Sequence, residues 1–231
     1  MSTVASPDSA PVLEASDVTV TLAREDADVV LFEDLALTVH PAETLDVSGP
    51  SGSGKSTLLR VLARMQPVSS ARLSLNGTDS TAITPQQWRR RVALVPQVGV
   101  AFPGTVKDNL LSAWRFTAGK EADKPGEKDL RDLLDAVLLN DIGLTYDAHR
   151  LSVGQLARVA LLRVLVTDPD VLLMDEVDAA LDPDAAHAVA LLVRERTEAG
   201  MACLRVRHRD PDGFATGRLE IRDRMLVRRD V

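Results

Sequence analysis

The run Gly49-Pro50-Ser51-Gly52-Ser53-Gly54-Lys55-Ser56-Thr57 constrains this chain more than any other stretch. It fits G-x-x-x-x-G-K-[ST], a phosphate-binding loop, which needs a strand before it and a helix after it. Residues 44–48 read as that strand. Leu58, Leu59, Val61, Leu62 and Met65 recur at helical spacing behind the loop. Glycines let backbone N–H groups turn inward around an anion, and the helix N-terminus adds partial positive charge. Lys55 can reach the outer phosphates of a nucleotide, and the Ser56 hydroxyl can ligate Mg²⁺. The bland alternative is a Gly/Ser turn. Chance alone would place this pattern in about one chain of this length in a hundred, so the strand and helix around it favour phosphate binding.

The chain has 231 residues, of which 45% are hydrophobic and 3% aromatic. A sizeable core is therefore built from Leu, Val and Ala. A net charge of −7 argues against general nucleic-acid binding, and none is expected. Cys203 is the only cysteine, so no internal disulfide forms, which fits a reducing compartment. No apolar run is long enough to cross a bilayer, since Arg158 and Arg163 break the longest ones. Residues 1–11 lack a signal pattern.

In order, residues 1–12 read as a loose tail rich in Ser, Ala, Pro and Asp. Strands are predicted over 18–22, 29–32 and 35–39, with a charged turn over 24–28. A strand over 72–75 ends at the tight turn Asn76-Gly77. A helical turn over 85–91 and a buried strand over 92–95 follow. Helical periodicity over 105–111 and 129–138, separated by a polar loop over 117–128, predicts a helical subdomain inserted in an α/β core. A helix over 156–166 then leads to the apolar run Val171-Leu172-Leu173-Met174, the pattern of a central parallel strand. A helix from Pro183, a strand over 203–206 and a terminal hairpin around Asp223 complete the pattern.

Asp175-Glu176 follow directly on the apolar run, and strand C-termini are where α/β sheets bind ligands. Asp175 would hold Mg²⁺ and Glu176 would polarise an attacking water. The alternative is two solvated carboxylates; beside a phosphate loop it is the weaker one.

Further residues carry a family resemblance. Leu151-Ser152-Val153-Gly154-Gln155, followed by Arg158, resembles the LSGGQ signature of ATP-binding cassette (ABC) ATPases. Gln97 resembles the Q-loop glutamine, Ala179-Ala180-Leu181-Asp182 the D-loop, and His208 the switch histidine. With the phosphate loop and Asp175-Glu176, six motifs in order cover about residues 14–226. The resemblance implies an α/β fold: a P-loop NTPase core with an N-terminal antiparallel β subdomain and an inserted α-helical subdomain at about 100–165. The whole of 13–231 would form one such domain.

It also implies a homodimer with ATP sandwiched between Lys55 of one copy and Ser152, Gly154 and Gln155 of the other. Gln97 would contact Mg²⁺ and water, His208 the γ-phosphate, and Asp182 would communicate across the dimer. A transmembrane permease subunit is the implied partner. The protein would then be cytoplasmic, peripheral on the inner face of the cell membrane. The run Ala101-Phe102-Pro103-Gly104-Thr105-Val106-Lys107-Asp108-Asn109-Leu110 is similar to exporter-type cassettes, where it lines the groove for the permease's coupling helix. With Trp114, it looks like the iron-export-type branch.

Four positions depart from the pattern. Val153 replaces a signature glycine; a β-branched residue disfavours positive φ, so a weakened γ-phosphate contact and slow hydrolysis are expected. No aromatic residue precedes Phe32, so Leu22 or Arg24 would pack on the base without stacking. Ala42-Glu43 stands where the family has Gly-Glu, and Asp178 where it has Thr or Ser. Three functions follow: a transport ATPase with a separate permease, an ATPase of soluble machinery such as iron–sulfur cluster assembly, or a weakly hydrolysing nucleotide-dependent clamp. No regulatory tail or fused membrane domain is expected.

Overall fold

The computed structural model describes residues 9–22, 28–115, 124–207 and 212–230. Two sheets organise them. The first is antiparallel and holds β1 (Leu13–Leu22), β2 (Val29–Val39), β4 (Ser70–Leu75) and β5 (Thr78–Asp79), in the order β2-β1-β4-β5. The second holds β3 (Thr44–Ser48), β6 (Val92–Val95), β7 (Val171–Asp175), β8 (Ala202–Val206), β9 (Gly217–Arg222) and β10 (Met225–Asp230). Its order is β10-β9-β3-β8-β7-β6, parallel except for the edge strand β10.

Burial explains the second sheet. Every residue of β7 and β8 is buried, because both faces of a central parallel strand are covered. The antiparallel sheet instead alternates along β2, with Leu35, Leu37 and Val39 buried between exposed neighbours. The predicted strands 29–32 and 35–39 are thus one strand, irregular near Asp34 at φ 53°. The turn Asn76-Gly77 has φ of 48° and 73°, the positive pair of a two-residue hairpin.

Two apolar clusters fill the molecule. One joins the antiparallel sheet, β3 and α1 (Lys55–Leu62), with Phe32 and Trp88 fully enclosed. Trp88 belongs to α2 (Pro85–Arg91), and its indole N–H donates to the Leu62 carbonyl at 2.8 Å, satisfying one of the open carbonyls at the end of α1. The other cluster gathers α3 (Val106–Leu110), α5 (Glu127–Ala136), α6 (Val153–Leu165) and α7 (Pro183–Glu198) with residues of β7. The short helix α4 (Ser112–Arg115) follows α3.

Side-chain caps moved several helix boundaries from their predicted places. Thr105 caps α3 rather than opening it. Ser152 and Gln155 form a capping box, so α6 starts at Val153 rather than at Leu156, and Val153, Gly154 and Gln155 of the signature stretch make its first turn. Glu127 and Lys128, predicted as loop, open α5. Val12, predicted in the tail, is buried, and its N–H donates to Val39 O at 2.9 Å. Residues 1–8 of that tail, 24–27 of the charged turn and 117–123 of the polar loop lie outside the described residues.

Candidate active site

The phosphate loop leaves β3 at Ser48 and enters α1 at Lys55. Gly54 caps the helix at φ 96°, and a Cβ there would lie 2.7 Å from a ring carbon of Phe32. Gly49 at φ 148° is equally confined, with Ile221 O and Ser53 Oγ each 2.9 Å from a would-be Cβ. These two glycines let the loop lie flat against β2 and β9. No side chain caps α1 and its first turn holds no acidic residue, so its N-terminal N–H groups face the loop unneutralised. Ser53 Oγ is buried without a hydrogen-bond partner among the described residues. Lys55 is 7% exposed, and its ammonium donates to Gly49 O at 2.9 Å and Pro50 O at 3.0 Å. The loop thus offers a buried cation, an unpaired hydroxyl and helix N-terminal N–H groups, which fits an anion such as a polyphosphate. Pro50, Ser51 and Gly52 are exposed on its rim; Thr57 is half-buried on α1.

The sheet delivers the acidic side. Asp175, 3% exposed at the end of β7, accepts a hydrogen bond from Ser56 Oγ at 2.8 Å. Glu176 leaves the strand at φ 52°, its N–H donating to Val206 O at 3.0 Å. Its carboxylate accepts from Gln97 Nε2 at 2.7 Å. No three His, Cys, Asp or Glu side chains group as a metal site among the described residues. Ser56 and Asp175 instead supply one hydroxyl and one carboxylate, hard oxygens suited to Mg²⁺ that completes its shell with phosphate and water.

The signature residues sit apart from this constellation. Ser152 Oγ accepts the Gln155 N–H at 3.2 Å and Gln155 Oε1 accepts the Ser152 N–H at 2.9 Å. No hydrogen bond joins them to Gly49–Thr57 among the described residues. Gly154 packs on the turn after Glu176, where a Cβ would lie 3.0 Å from Ala180 O. Val153 is a first-turn helical residue, absent from the positive-φ positions, so its β-branched side chain meets no backbone strain there. Its side chain is 73% exposed. Asp182 caps α7, and the Ala185 N–H, opposed by burial and aided by Arg158, holds its carboxyl below the ordinary 3.8. Arg158 donates to the carbonyls of Val137 and Leu138. Leu22 is half-buried against the first core. His208 and Arg24 lie outside the described residues.

Two arrangements escaped the sequence reading. Asn109, fully buried, accepts from Phe102 N–H and from Arg163, whose guanidinium also reaches Val100 O and stacks 4.3 Å over the Phe102 ring. This fixes the stretch after Gln97 and leaves Val98, Val100 and Phe102 exposed at 72%, 57% and 40%. A polar Asn on an otherwise apolar helix face was the available signal. The second is a chain of ion pairs through Asp46, Arg205, Asp212, Arg207 and Asp178. Its partners are scattered over the sequence and gave none.

Residues 32–179 match the ABC transporter family model. The chain is 37% identical to Protein STAR1 of Oryza sativa subsp. japonica over 74% of its own length and 49% of that protein's. It is 32% identical to the Probable iron export ATP-binding protein FetA of Escherichia coli (strain K12), covering 78% of this chain and 79% of that one. The chain spans about half the length of STAR1, and more of FetA. Among solved structures, an ATP-binding subunit of an ABC transporter superposes with a TM-score of 0.82 at 22% identity, over 95% and 90% of the two chains. A dimeric post-hydrolysis ATP-binding cassette, MJ0796, bound to ADP and Pi, superposes with 0.78 at 19%, over 94% and 98%. Those two likenesses bear on fold; the family match, whose span includes Gly49–Thr57, Gln97, Asp175 and Glu176, and the FetA relationship show that the chain belongs to the ABC transporter family.

Proposed function

We propose that the chain binds and hydrolyses ATP as one copy of a head-to-tail dimer and drives a separate membrane permease. The observation that carries this reading is the meeting of Gln97 with Glu176 at 2.7 Å, beside the Ser56–Asp175 bond at the same loop. In this reading residues 13–231 form one ATPase domain, with about 100–165 as its helical subdomain.

The chain's own groups would divide the work as follows. Lys55 exchanges its two backbone carbonyls for the β- and γ-phosphates, and the loop N–H groups hold their charge. Ser56 and Asp175 would hold Mg²⁺, which when bound neutralises charge developing between the phosphates. Glu176 accepts the proton of a water aimed at the γ-phosphorus, and Gln97 orients that water and the carboxylate. His208 would contact the γ-phosphate, and Asp182 would border the partner copy. Ser152 and Gly154 of the second copy close the site, with the N-terminus of α6 directed at phosphate.

The permease would dock where Val98, Val100 and Phe102 are exposed. No helix among the described residues is long and apolar enough to cross a membrane. The protein would then sit in the cytoplasm against the inner face of the membrane. Metal-ion export is the proposed transport, following the FetA relationship.

The test is MgATP hydrolysis by the purified chain beside Glu176→Gln. Turnover that the variant loses by 100-fold or more (~3 kcal/mol), with an ATP-stabilised dimer in size-exclusion chromatography, supports the reading. Nucleotide binding without turnover in both proteins, alone and with a co-purified permease, overturns it.

A further inference from the structure

Glu176 occupies the left-handed region at φ 52°, which a residue with a Cβ enters only where its surroundings impose it. Two contacts from consecutive residues grip the chain on either side of it. Val206 O accepts the Glu176 N–H at 3.0 Å. Arg207 Nε donates to Asp178 Oδ2 at 2.9 Å. The end of β8 thus holds residue 176 by its backbone and residue 178 by its side chain.

Arg207 does not act alone. Its Nη1 lies 2.6 Å from Asp212 Oδ2, off the hydrogen-bond direction. Arg205 donates to both oxygens of Asp212, at 2.9 and 3.2 Å, and to Asp46 on β3 at 2.8 Å. Carboxylates and guanidiniums therefore alternate from Asp46 to Asp178. All five side chains are 4–15% exposed, and Met174, Val177 and Val206 wall the adjoining cavity with Asp178, Arg205, Arg207 and Asp212. Buried ion pairs contribute little net stability against apolar replacements, but breaking one leaves an unpaired charge and is costly; such a pair fixes geometry more than it adds stability. The chain ends two residues after Glu176, and its other end lies on the strand that feeds the phosphate loop.

We infer that the Asp178–Arg207 pair is a positioning device: it holds the 176–178 turn in the conformation that brings the Glu176 carboxylate to Gln97. Neither residue touches the reacting atoms. The inference rests on Glu176 being the group that polarises water.

The experiment compares Asp178→Asn, Arg207→Gln and their double variant with wild type and Glu176→Gln. It reads kcat and KM for MgATP, with thermal melting to establish folding. A misplaced catalytic group can cost about 100-fold. The expected result is a fall of at least about tenfold in kcat for each single variant, with KM within about twofold of wild type. The double variant should be no slower than the worse single, as one shared contact requires. A purely structural pair would lower the melting temperature and leave kcat of the folded protein unchanged, and that result overturns the inference. So would single losses that multiply in the double variant. If a single variant fails to fold, the double, which leaves no charge unpaired between 178 and 207, carries the kcat and KM test by itself. A Glu176→Gln protein that retains turnover defeats the proposed role of Glu176. Loss in that protein with full kcat at Asp178→Asn defeats only the positioning.

Discussion

Gln97 and Glu176, 79 positions apart, meet through one hydrogen bond of 2.7 Å between an amide donor and a carboxylate. The bond spans neighbouring strands, since Gln97 follows β6 and Glu176 follows β7. Gln97→Glu would set two carboxylates against each other at that distance. Like charges this close repel, so the Glu176 side chain should swing away. Turnover is expected to fall by about 100-fold (~3 kcal/mol), with ATP affinity nearly unchanged. Steady-state kinetics and fluorescent-nucleotide titration measure both; unchanged kcat would refute the arrangement.

Gly54→Ala tests the seat of the phosphate loop. The added Cβ would meet the Phe32 ring at 2.7 Å from a backbone already at φ 96°. Left-handed strain of about 1–2 kcal/mol and overpacking of about 1–3 kcal/mol should together destabilise the fold by roughly 2–5 kcal/mol. Urea unfolding reads the loss, and nucleotide titration should show binding abolished.

Ala42 is a departure that the structure explains. It precedes β3 at φ 61°, the conformation glycine adopts without penalty, and glycine is the residue the sequence resemblance expects there. Ala42→Gly relieves the strain and loosens the unfolded chain, two opposed effects. A net gain of about 0.5–1 kcal/mol is expected in urea unfolding, with turnover unchanged. A loss of stability would show that the turn relaxes around Ala42.

Cys203 is fully buried on β8, and burial, with Arg205 opposing it, pushes its thiol up to about 12. At pH 8 almost no thiolate exists there. Thiol-exchange reagent should release no colour from the native protein and one equivalent after denaturation. Rapid native labelling would contradict the packing of β8.

Asp212 links acid sensitivity to the ion-pair chain. Burial raises its carboxyl, but hydrogen bonds from Arg205 and the Phe214 N–H outweigh this and hold it below the ordinary 3.8. The unfolded chain therefore binds this proton at a higher pH than the folded one. The contribution is complete above about pH 4 and is lost as pH falls through the lower folded value. Asp212→Asn should cost roughly 3–5 kcal/mol at neutral pH, and its deficit relative to wild type should shrink only below about pH 4. A deficit that is already shrinking at pH 6 would assign it to another group.

The sequence by itself determined the phosphate loop, the strand carrying Asp175, the hairpin turns and the order of the elements. Each is local: glycine at fixed offsets, an unbroken apolar run, an Asn-Gly pair at a turn. Cap chemistry also misled where it was overlooked, because Ser152 and Gln155 draw the signature stretch into α6 while apolar periodicity begins only at Leu156.

Only the tertiary structure decided which distant groups meet. The side-by-side placement of β3, β7 and β8 sets Ser56 against Asp175 and Val206 against Glu176. The same placement joins Asp178 to Arg207 and, through Asp212 and Arg205, to Asp46. A lone Asp or Arg in sequence reads as a solvated surface charge. It becomes a fixed contact when strand pairing removes water from both partners and leaves each as the other's nearest opposite charge.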